Sequence, residues 1–155
     1  MERDLYYFEY VRLAARDVVA AMVSPNQTVF RAATETAVAE THSFRERLHV
    51  HIASIDIGKD VVIEVAQPVD KGYAVYVPIK WRAASKASLF PSMDAELEIT
   101  ALSDRPPLTQ ISILGRYRPP AGVFGAVGDA MLGYRVAEAA VRHFLVDLAA
   151  RLGPA

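Results

Sequence analysis

The sequence predicts an α+β fold in which a curved antiparallel sheet grips one long C-terminal helix. Three observations predict it. Met93, Ala95, Leu97 and Ile99 alternate with Asp94, Glu96 and Glu98, the pattern of a sheet with one wet side. From Val123 to Leu152, at about 100° per residue, apolar side chains gather on one arc of a helix. These include Ala137, Val141, Phe144, Leu145, Leu148 and Leu152, while Asp129, His143, Asp147 and Arg151 fall outside the arc. Finally, a first strand and two short helices precede a run of strands, and the long helix comes last.

Residues 4–14 are aromatic and β-branched and read as the first strand. Leu5, Tyr7, Glu9, Val11 and Leu13 share one face, and Tyr6, Phe8, Tyr10 and Arg12 the other. Neither face is cleanly polar, so both are expected to be partly covered. Ala15–Val23 reads as a short helix halted by Ser24-Pro25-Asn26, because proline cannot continue one. A second helix is expected from about Gln27 to Ala39, capped by Asn26.

Strands follow. Phe44–Ala53 places Leu48, Val50 and Ile52 opposite Arg47, His49 and His51. After a turn at Ile57–Asp60, Val61–Ala66 is a strand, and Pro68–Gly72 turns the chain again. Tyr73–Ala83 is expected to place Tyr73, Val75, Val77, Ile79 and Trp81 on one face. Asp104–Pro107 reads as a loop before a last strand, Thr109–Tyr117, whose Ile111, Ile113, Gly115 and Tyr117 share a face. In the closing helix, Glu138 and Arg142 are spaced for an i,i+4 pair, as are Asp147 and Arg151. Gly122, Gly125, Gly128 and Gly133 weaken its first turns, and Gly153-Pro154 releases its end.

The chain has 155 residues, 52% of them hydrophobic and 23% charged. That suits one globular domain, residues 1–155, with a sizeable core. A net charge of −1 gives no basic excess to attract phosphate backbones, so nucleic acid is not an expected partner. Cysteine is absent, which excludes disulfides, thiolate catalysis and zinc–thiolate sites and fits a reducing cytoplasm. Met1-Glu-Arg-Asp lacks the apolar core of a signal peptide. No apolar run approaches the roughly 20 residues of a membrane span, so stable membrane insertion is not expected. A homodimer is left open by the sequence.

This element order is that of a helix-grip fold. Four stretches carry a more specific resemblance: Val77-Pro-Ile-Lys-Trp-Arg-Ala83, Leu89-Phe-Pro-Ser-Met-Asp-Ala-Glu-Leu97, Gly115-Arg-Tyr-Arg-Pro-Pro120 and Arg135-Val-Ala-Glu-Ala-Ala-Val-Arg-His-Phe144. Together they resemble the SRPBCC superfamily, and within it a small actinobacterial branch. The superfamily includes START lipid-transfer domains, Bet v 1-type proteins and polyketide cyclases. The motifs cover the second half of the chain, and the first half matches only in element order. The resemblance implies a hydrophobic cavity between sheet and helix. It does not imply a ligand, because fold does not dictate function.

The expected cavity is lined by Trp81, Met93, Tyr117, Phe124, Val127, Met131 and Tyr134, with Glu138 as the deeper polar contact. Each choice has a plainer reading. Trp81 also reads as core, and Tyr117 and Tyr134 as buried tyrosines whose hydroxyls find a partner. Glu138 falls inside the apolar arc. There it is either a polar anchor or general acid/base, or an arc-edge residue reaching out to Arg135 or Arg142. His49 and His51 are spaced to share a metal, but no third ligand is evident, and they read as a solvated face beside Arg47. Arg82, Arg116 and Arg118 read as solvated. No glycine loop cradles a phosphate, so neither cofactor nor metal is called for. Two functions remain. One is binding or carriage of a small hydrophobic or amphipathic molecule, a lipid or polyketide. The other is a polyketide cyclase/dehydratase-like activity with Tyr134, Tyr117 and Glu138 as candidate acid–base groups. A blander third is an interaction or chaperone-like domain with a collapsed cavity.

Overall fold

The computed structural model describes residues 2–23, 29–37, 61–83, 92–118 and 130–153. Among them the order is β1 (Arg3–Val11), α1 (Ala15–Met22), α2 (29–37), β2 (Val61–Val65), β3 (Val69–Asp70), β4 (Val75–Ala83), β5 (Ser92–Asp104), β6 (Pro107–Arg118) and α3 (Ala130–Leu152). The described strands form one curved antiparallel sheet in the order β1-β6-β5-β4-β2, with β3 beside β4. This is the α+β helix-grip architecture expected from the alternating strands and one-sided helix.

Period two decides the faces of β4, β5 and β6. Val77, Ile79 and Trp81, Met93, Ala95, Leu97 and Ile99, and Ile111, Ile113 and Tyr117 are all buried. Asp94 and Glu96 are exposed, and Glu98 is half-buried. The helix stripe meets these residues from the other side: Ala137, Ala140, Val141, Phe144, Leu145, Leu148 and Leu152 are buried. Alanines at 137 and 140 let the helix axis come close, while Phe144 projects far enough to set its ring against Trp81 at 4.8 Å, edge to face. Short helices fill the remaining side. Val18 and Met22 of α1 and Phe30, Ala33 and Ala37 of α2 are buried at helical spacing. Buried Thr34 donates its hydroxyl to the Phe30 carbonyl at 2.7 Å.

Three expectations need correction. Tyr73 is not part of β4 but 70% exposed in the preceding turn, where Gly72 has φ +86° and donates its N–H to the Asp70 carboxylate. That Asx geometry takes over the backbone bonding a longer strand would need. Residues 68–72 are not wholly turn, since Val69 and Asp70 pair with Tyr76 and Val75. β5 and β6 run on almost to each other, leaving a turn only at Arg105–Pro106. The second face of β1 is only partly covered among the described residues, with Tyr6, Phe8 and Tyr10 about half exposed. The described part of the long helix begins at Ala130; the expected start at Val123 and the strand at 44–53 lie outside the described residues.

Candidate functional site

Strand register assembles the site. Directly paired residues form a row across the inner face of the sheet: Ile63, Trp81, Met93, Tyr117 and Arg3. Three of the expected ligand residues therefore stand side by side on β4, β5 and β6. The adjacent row is small at its centre, with Ala95 beside Gly115. A Cβ on Gly115 would lie 2.4 Å from the Asp94 carbonyl oxygen and 2.5 Å from the Ala95 Cα. Only glycine allows β5 and β6 to approach so closely there.

The helix completes the arrangement. The Tyr117 hydroxyl donates to Glu138 Oε1 at 3.0 Å, which links the floor of the sheet to α3. Glu138 is half-buried. Its carboxylate thus turns toward the sheet rather than only out to Arg135 or Arg142. Tyr117 is 1% exposed. Burial, the bond to Glu138 and that carboxylate's charge push its phenol pKa well above the ordinary value, while Arg3 pulls it down. Tyr117 therefore holds its proton and serves as a donor.

Tyr7 is a member of this group that the strand pattern alone did not single out. It lies inward on β1 opposite Ile113. Burial raises its pKa, the Glu138 charge adds to that, and Arg142 opposes it. One signal was available: between Leu5 and Val11 on the buried side of β1, Tyr7 brings a hydroxyl. The β1–β6 register that carries it toward Glu138 was not legible.

Trp81 and Met93 are 1% and 2% exposed, and Trp81 is packed on Phe144. Phe124 and Val127, with the side chains of Met131 and Tyr134, lie outside the described residues, as do His42, His49 and His51. Among the described residues no group of three acids or histidines could hold a metal, and no helix is long and apolar enough to cross a membrane.

An open groove of about 770 Å³ on the outer face of the sheet is lined by charged Glu64, Lys80, Arg82, Arg116 and Arg118 and also reaches Trp81 and Met93. Its cations are paired: Arg82 with Glu64, Lys80 with Asp94 at 3.5 Å, Arg116 with Asp4 at 3.4 Å and Arg118 with Glu2. Such exposed pairs contribute little, and their charges cancel. The inner row differs from this groove, with buried Trp81, Met93 and Tyr117 and one acid–phenol pair.

No family model and no curated protein matches the sequence. Solved structures similar to it include a conserved protein from Geobacillus kaustophilus, at 14% identity and TM-score 0.49 over 97% of this chain and 95% of that one. The Zhui aromatase/cyclase from Streptomyces sp. R1128 is 14% identical, with TM-score 0.47 over 98% and 94%. Norcoclaurine synthase from Thalictrum flavum, in complex with dopamine and hydroxybenzaldehyde, is 8% identical, with TM-score 0.45 over 96% and 85%. Likenesses this distant carry no conclusion about chemistry.

The raised Tyr117 pKa predicts alkaline behaviour. The folded protein keeps this proton where the unfolded chain loses it, so the contribution to stability is complete below the ordinary phenol pKa of about 10 and declines as pH rises beyond it. Tyr117→Phe should flatten that decline in denaturant melts. An unchanged slope would show that Tyr117 titrates as it does in the unfolded chain.

Proposed function

We propose that the chain is a single SRPBCC-type domain, residues 1–155, that binds or carries a small hydrophobic or amphipathic molecule, such as a lipid or polyketide, between the sheet and α3. The observation that carries this reading is the Tyr117–Glu138 hydrogen bond. The bond sets one carboxylate–phenol pair against apolar neighbours, and a ligand site uses a few placed polar groups among apolar walls. Trp81 and Met93 supply the walls, and Phe124, Val127, Met131 and Tyr134 are proposed to continue them. The resemblance of the second half of the sequence to SRPBCC proteins supports the same reading.

Binding is favoured over catalysis by the scarcity of inward polar groups, and the upward shift of the Tyr117 phenol agrees. A general acid or base works best with a pKa near the operating pH, and this phenol is moved away from it. The second reading, a polyketide cyclase/dehydratase-like enzyme, rests on the same pair, since a phenol 3.0 Å from a carboxylate is within proton-transfer reach.

Native mass spectrometry of freshly purified protein tests the reading through a co-purified lipid or polyketide. Glu138→Gln then separates the two classes. In a binder it changes affinity, by about tenfold for a lost charge-assisted bond, with no reaction to lose. In an enzyme it abolishes turnover while binding persists. A purified protein that carries no ligand and takes up no apolar probe would overturn both.

A further inference from the structure

β1 lies at the end of the described sheet, paired with β6 on one side. On its other side a groove of about 220 Å³ runs between the strand and α3, lined by Tyr7, Phe8, Glu9, Arg142, Leu145 and Val146, and also by Tyr6. No described segment fills it. The outward face of β1 is equally unusual. Tyr6, Phe8 and Tyr10 are 54%, 47% and 54% exposed, and their rings pack in series, with centroids 6.1 Å and then 5.7 Å apart. Such a row on an edge strand is what proteins avoid unless something covers it.

We propose that a second copy of this chain docks along β1, edge to edge and antiparallel, about a two-fold axis that sets Phe8 opposite the partner's Phe8. The proposal stands apart from the ligand reading. A two-fold edge pairing keeps each face continuous, so residues opposite one another must be an even number of positions apart or identical. Several registers satisfy that condition, and side-chain chemistry separates them. Centring on Phe8 puts Tyr6 opposite the partner's Tyr10 and keeps aromatic against aromatic along the row. It also brings Asp4, whose exposed pairing with Arg116 at 3.4 Å contributes little, opposite the partner's Arg12 just past the end of β1, so the charge pattern is self-complementary. Shifting the axis to Tyr7 sets Asp4 against an aromatic, and shifting it to Tyr6 sets Asp4 against phenylalanine. On the inner side, the Phe8 register faces Leu5 with the partner's Val11, and Tyr7 with the partner's Glu9. The exposed Val146 lies beside the groove that the incoming strand would cover.

Sedimentation equilibrium of the whole chain, from low to high micromolar, tests the proposal. The wild type should show a concentration-dependent dimer, and Phe8→Glu should raise its Kd by about tenfold or more. Asp4→Arg and Arg12→Asp should each weaken the dimer, because like charges then meet. The double variant Asp4→Arg/Arg12→Asp should restore it. Thermal melts of each variant show that the monomer is still folded, which charge changes at exposed positions should allow. A wild type that stays monomeric throughout would overturn the proposal. So would a dimer indifferent to Phe8→Glu, or single charge reversals that the double reversal fails to rescue.

Discussion

Replacing Phe144 by alanine should destabilise the protein by about 3–5 kcal/mol, the usual range for deleting a buried ring. Phe144 is 0% exposed and lies at the centre of the helix stripe. Its ring meets Trp81 at 4.8 Å and 76°, an edge-to-face contact that adds roughly 0.5–1.5 kcal/mol beyond the buried area. The void would open between α3 and the Trp81–Met93–Tyr117 row. Trp81 cannot collapse into it without leaving its place in β4, so relaxation is limited. A loss this large is much of a typical domain's stability, and for a chain of this size it lowers Tm by roughly 10 °C or more. Val146→Ala, two positions along the same helix but 43% exposed, should stay within about 0.5 kcal/mol of wild type. Thermal melts of the two variants check the contrast, and coincident melts would show that the stripe does not hold helix to sheet.

Gly115→Ala should cost about 3 kcal/mol, the upper end for overpacking, although alanine is among the smallest of side chains. The added methyl would fall 2.4 Å from the Asp94 carbonyl oxygen and 2.5 Å from the Ala95 Cα. Both are backbone atoms of the neighbouring strand, so no rotamer change can relieve the overlap. β5 and β6 must separate, and the sheet loses curvature beside Tyr117. The substitution should therefore also weaken the Tyr117–Glu138 bond. Gly72→Asn is the comparison: that glycine has φ +86° and nothing within 4 Å of an added Cβ, and asparagine tolerates such a backbone better than other residues. Urea melts should show a much larger loss for Gly115→Ala than for Gly72→Asn. Equal losses would mean that the strands can separate at little cost.

Much of this architecture was legible because periodicity is a local property. Met93–Ile99 and Ile111–Tyr117 announce their buried faces by alternation, and Phe144, Leu145, Leu148 and Leu152 announce theirs by helical phase. Glu138 was legible as an anomaly for the same reason, a carboxylate inside an apolar arc. How far the aromatic face of β1 is exposed was not legible, because ring-bearing residues favour strands whether or not anything covers them. Tyr73 was misread as strand because Asp70 and Gly72 form a local turn that competes with the ladder.

What the sequence determined alone was the α+β class, the face each strand and helix buries, and the residues able to supply a polar contact within an apolar wall. Only the tertiary structure decided which of them meet. Register is set by pairing between strands far apart in the chain, and it alone put Trp81, Met93, Tyr117 and Arg3 in one row. The placement of α3 on β1 and β6 then brought Glu138 within 3.0 Å of Tyr117 and its charge within reach of Tyr7. Local periodicity fixes a direction for each side chain, but a distance between two side chains depends on the offsets of every element that separates them.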